Sequence, residues 1–70
     1  MNAMEIMKAW ADCPNGFGVA DDLRCAAMEA QEEGIARKDY LEAAVAFGYN
    51  KGSAANCWAF VARKEVLLGR

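Results

Sequence analysis

Histidine is absent from this 70-residue chain and proline occurs once. Without histidine the chain lacks the commonest general base, the commonest zinc ligand and the usual partner of a nucleophilic Ser or Cys, so an enzyme is not expected. Cys13, Cys25 and Cys57 are odd in number and lie 12 and 32 residues apart, which leaves no C-x-x-C pair to hold zinc or run redox chemistry. Each reads as a free, reduced thiol, and no cofactor is implied. Long apolar runs are missing too: Glu5 and Lys8 interrupt the N-terminal one, and nothing approaches the ~18 residues of a membrane helix or resembles a signal peptide. The expectation is a soluble, cytoplasmic protein. Nor is there an excess of positive charge. Ten acidic against eight basic residues give a net charge of −2 and a pI near 4.9, which excludes a strongly basic nucleic-acid coat or membrane-surface peptide and confines any nucleic-acid contact to a local patch.

The residues present favour helices. Hydrophobic residues make up 56% of the chain, but many are alanine, which suits closely packed helices. Alternating β-branched residues never persist for four positions, so no strand is expected. A chain this short buries only about 60% of its unfolded surface, so residues 1–70 form a single domain.

Asn2 and Glu5 have the spacing of a capping box, and Ala3, Ile6, Met7 and Trp10 recur at helical spacing, which predicts a helix over 3–11. It stops at a turn-rich segment containing Pro14, Gly16 and Gly18, under which Phe17 is expected to tuck. A second helix is predicted over 19–33. Asp21 and Asp22 lie in its first turn, Gly34 stops it, and Ala20, Leu23, Ala26, Ala27 and Ala30 share one arc. Glu29, Glu32 and Glu33 fall outside that arc, with Cys25 and Met28 at its margin. A third helix over 39–47 places Leu41, Ala44 and Val45 inward, with Ile35 packing back onto it and Gly48 ending it. A fourth over 53–65, with Ser53 as N-cap, carries Ala54, Cys57, Trp58 and Val61 on an inner stripe. The fold class is all-α, a bundle of four short helices.

Charge divides along the chain. Through Glu33 there are two basic and seven acidic residues, a net of −5; beyond it six basic and three acidic residues give +3. Ordinary solvated faces account for this division, and so does a C-terminal half built to meet phosphates.

Residues 40–59 fit the helix–turn–helix pattern: a small residue at its fifth place (Ala44), glycine at its ninth (Gly48), and apolar Ala43, Phe47, Tyr49, Ala54 and Cys57 at the remaining fixed places. The small residue lets two helices approach, the glycine takes the positive φ of a sharp turn, and the apolar places close the core between the helices. From Arg37 to Lys64 the chain thus resembles the small helix–turn–helix DNA-binding proteins used by phage and plasmid regulators. The resemblance implies a transcriptional regulator that binds DNA as a homodimer. Asn50, Lys51, Ser53, Ala55 and Asn56 would face the major groove, Asn56 pairing with adenine and Ala55 touching a thymine methyl. Arg37, Lys38, Lys51, Arg63 and Lys64 would contact phosphates. Departing from such proteins, the second motif helix is poor in long polar side chains at its N-terminal end. Asn50 also suits a plain turn residue, and Asn56 a plain exposed helix position.

Phe60 points to a second reading. It lies about 120° from the inner stripe, half exposed in a monomer, and Leu67 and Leu68 extend the same apolar edge, either as a partner surface or as a tail folded onto the domain. With the net acidity, these residues suit a small phage-type protein that binds and inhibits a host protein such as a nuclease, in the manner of an anti-CRISPR, or a polymerase.

Overall fold

The computed structural model describes residues 1–13 and 16–67, and the side chains of these as far as Arg63. Four helices follow one another: α1 (Ala3–Asp12), α2 (Val19–Glu32), α3 (Arg37–Ala46) and α4 (Lys51–Leu67), with no strand among the described residues. The all-α reading holds. Pro14, Asn15 and Leu68 lie outside the described residues.

α1 begins with the expected capping box: the Glu5 amide donates to Asn2 Oδ1 at 2.9 Å, and the Asn2 amide donates to Glu5 Oε1 at 2.9 Å. Two of the orphan amides of the first turn are satisfied in this way. Ala3, Ile6 and Met7 are the buried face of α1. The helix packs on both α2 and α3, and α4 lies mainly against α2.

Among the described residues half of the buried apolar ones are alanines, and the bulk of the core comes from the fully buried Ile6, Met7, Leu23 and Tyr40. Small side chains on α2 (Ala26, Ala27, Ala30), α3 (Ala43, Ala44) and α4 (Ala54) let the helix backbones approach. Trp58 is half-buried and stacks on Tyr40, ring centroids 5.0 Å apart and planes at 37°. The Tyr40 hydroxyl donates to the Leu23 carbonyl at 3.1 Å, tying α3 to α2.

Several expectations are corrected. Phe17 does not tuck under the α1–α2 connection; it is 84% exposed. On α2, Ala20 is exposed and Asp22 is buried at 5% exposure. Because Cys57 Sγ donates to the Ala20 carbonyl at 3.5 Å, Ala20 meets α4 through its backbone, and its methyl is left outside. On α3, Val45 is 50% exposed and Tyr40 takes the inward place. That helix starts two residues earlier than expected, at Arg37, behind Ala36, whose side chain offers no cap.

α2 and α3 end alike. The Gly34 amide donates to the Gln31 carbonyl at 3.1 Å and the Ile35 amide to the Ala30 carbonyl at 2.9 Å; Gly48 and Tyr49 donate to Val45 at 3.0 Å and Ala44 at 2.9 Å. These are two Schellman turns, with Gly34 at φ +74° and Gly48 at φ +86°, a region where a Cβ is strained.

Candidate nucleic-acid interface

The turn at Gly48 sets the direction in which α4 leaves α3. Phe47 and Tyr49 pack against the core on either side of it, and Ala43, Ala44, Ala54 and Cys57 are buried. All the apolar and small places of the motif are thus in or against the core.

α4 begins at Lys51, and its N-cap is Asn50, where the sequence suggested Ser53. Asn50 Oδ1 accepts from the Ser53 amide at 3.0 Å, and its carbonyl accepts from Ala54 at 3.0 Å. Asn50 therefore spends its side-chain oxygen on the helix, which weakens its case as a base-reading residue, and no described residue other than glycine has positive φ. Ser53 becomes the third residue of the helix and is exposed.

Arg37, Lys38 and Lys51 come together. With Leu41, Glu42 and Val45 they line a shallow depression of about 510 Å³ along the outer side of α3. Arg37 and Lys38 occupy the first turn of α3 and Lys51 the first residue of α4. Helix dipoles disfavour cations at those places by roughly 0.3–1 kcal/mol each. Among the described residues the ion pairs are Lys8 with Asp12 and the N-terminal amine with Glu33, and neither involves this group. Three basic side chains thus remain at helix starts without a carboxylate neighbour within ion-pair distance.

A second cluster lies on the outward side of α4. Asn56, Ala59, Phe60 and Arg63 line a depression of about 470 Å³, and all four are exposed. Ala55 is half-buried against the core and does not join them. The sequence reading missed a fifth member: Arg24, on α2, holds its guanidinium carbon 5.4 Å from the centre of the Phe60 ring, a cation–π contact. Arg24 Nε also donates to the Ala20 carbonyl at 3.3 Å, which restrains the side chain. The one sequence signal for Arg24 was its isolation as the single cation of an acidic helix. The side chains of Lys64 and Leu67, and all of Leu68, lie outside the described part of the structure.

The thiols do not form a site. Cys13 is exposed, Cys25 half-buried and Cys57 buried. Burial pushes the Cys25 thiol up, with Asp21 adding to it, and burial does the same for Cys57, so neither is an activated nucleophile. Among the described residues no group of three His, Cys, Asp or Glu side chains is placed to hold a metal ion, and no described helix is long and apolar enough to cross a membrane.

No protein-family model, no curated protein and no solved structure matches this chain.

Proposed function

We propose that the chain binds duplex DNA through α3 and α4, as a small homodimeric regulator of transcription of the helix–turn–helix type. The observation that carries this reading is the meeting of Arg37, Lys38 and Lys51 around one depression at the starts of two helices. A phosphate there would meet both the side-chain charge and the positive ends of the helices, turning an unfavourable placement into a favourable one. α4 leaves the Gly48 turn with Asn56 and Arg63 outward, as a helix entering the major groove requires. Phosphate neutralisation supplies most of the affinity and the α4 face supplies the sequence preference.

Fluorescence anisotropy with a labelled random-sequence duplex over a range of salt tests this. Affinity falls steeply with salt in the wild type, and Lys51→Ala and Arg37→Ala each weaken binding and reduce the slope by about one. Absence of binding at low salt, or a slope unmoved by both variants, would sink the reading.

The half-exposed Phe60 favours one other reading, a protein that inhibits a host nuclease or polymerase through Phe60 and the acidic residues Glu29, Glu32 and Glu33. Under it, the weakening of binding concentrates at those four positions and the basic residues are silent.

A further inference from the structure

We infer that the α4 face selects A·T base pairs, with Asn56 pairing to adenine and Phe60 and Ala59 packing on thymine methyl groups. This rests on the duplex-DNA reading above and says which bases that surface takes. Helical periodicity puts Gly52, Asn56, Ala59, Phe60 and Arg63 on one side of α4. All of these are exposed, while Ala54, Cys57 and Val61 on the opposite side are buried. Lys51 and Arg63 are twelve residues apart, roughly 18 Å along the helix, so positive charge brackets the face at both ends, suited to the phosphates flanking a groove.

Between those cations the face is chemically sparse, and the sparseness is informative. In the major groove guanine offers two acceptors and is read by Arg or Lys; cytosine offers a donor and is read by a carboxylate. Neither residue type stands on α4 between Lys51 and Arg63, and Arg24, which reaches the face from α2, lies over the Phe60 ring with its Nε donating to the Ala20 carbonyl. Adenine offers an acceptor beside a donor, which an amide such as that of Asn56 matches in both directions. Thymine alone offers a methyl group, for which the partner must be apolar. Phe60 is 50% exposed on this face. The Arg24 guanidinium meets the ring from the α2 side, its carbon 5.4 Å from the ring centre. Packing that ring against a methyl removes apolar surface of both from water.

Alternating copolymer duplexes isolate this chemistry at one fixed salt concentration. Replacing dT by dU removes only the methyl group, and the dI–dC copolymer keeps a minor groove like that of A·T while its major groove resembles that of G·C. The wild type binds dA–dT most tightly, dA–dU about fourfold less tightly for each thymine methyl that the protein covers, and dI–dC and dG–dC more weakly still. Phe60→Ala narrows the gap between dA–dT and dA–dU by roughly the fourfold of one methyl, what remains being the Ala59 contact, whereas Phe60→Leu, still apolar, keeps the whole difference. Equal wild-type affinity for dA–dT and dA–dU, a preference undiminished in Phe60→Ala, or dI–dC bound as well as dA–dT would each overturn the inference while leaving DNA binding intact. Failure to bind any of the four at low salt would overturn the DNA reading and this inference with it.

Discussion

Tyr40 shows how one residue can carry more of this small core than its sequence position suggests. Its ring is fully buried against Trp58 and its hydroxyl reaches the Leu23 carbonyl, so it joins three helices. A tyrosine at the start of a short helix reads equally well as a surface residue, and only the crossing of α3 over α2 reveals its partner. Burial, with a smaller part from Cys57, pushes the Tyr40 phenol well above its ordinary value of 10. The neutral phenol is thus the form the fold accepts. Below pH 10 its contribution is fully present, and it declines as the pH rises above 10 toward the raised folded value. Cys25 and Cys57, also raised by burial, start a similar decline above about 9. Urea midpoints measured from pH 7 to 11 should therefore fall on the alkaline side. Tyr40→Phe should lower stability at pH 7 by about 1 kcal/mol, because the hydrogen bond to Leu23 is gone. It should also make the decline above pH 10 shallower, leaving the thiol part; identical alkaline slopes would show that the phenol is not held neutral.

Helix existence was legible where the local signals agreed, and boundaries were not where they competed. The capping box at Asn2 and Glu5 and the stops at Gly34 and Gly48 lie at the ends observed, because each satisfies backbone groups that nothing else nearby can. At the start of α4 two capping residue types stand three apart, and Gly52, a poor helix former, lies between them. The sequence favoured Ser53. Once the Schellman turn uses Gly48 and Tyr49, however, Asn50 is the first residue free to cap. Gly52 serves that cap, since a Cβ there would lie 3.1 Å from Asn50 Oδ1. Asn50→Ala should accordingly cost about 1 kcal/mol, or roughly 4–8 °C in a domain of this size. Ser53→Ala should stay within about 0.5 kcal/mol of the wild type. Thermal melts followed by circular dichroism decide between them, and a larger destabilisation at Ser53 would return the cap to the sequence-based position.

Across the whole molecule, the charge division along the chain becomes a division between helices: α1 and α2 hold most of the acids, α3 and the described part of α4 most of the bases. This was legible by counting, and so was the grouping of Asn56 with Arg63 on α4, which needs only helical spacing. The meeting of Arg37 and Lys38 with Lys51, and of Arg24 with Phe60, was not, because each joins different helices and depends on how those helices pack. The same packing leaves a core in which alanine makes up half of the buried apolar residues among those described, while Met4, Val19, Met28 and Val45 stay exposed. Alanine contributes little buried area, and a 70-residue core is marginal alone, so association with a second copy should add stability. Two copies would also double the phosphates neutralised and place two α4 faces on one duplex, about 10 base pairs apart if they meet successive turns of the same groove. Sedimentation equilibrium at micromolar protein should therefore return twice the 7.6 kDa of one chain, and a short duplex carrying two such half-sites should bind two chains with a single midpoint. A free mass of one chain with one chain bound per duplex would remove the dimer, leaving α3 and α4 of a single copy to account for all the affinity.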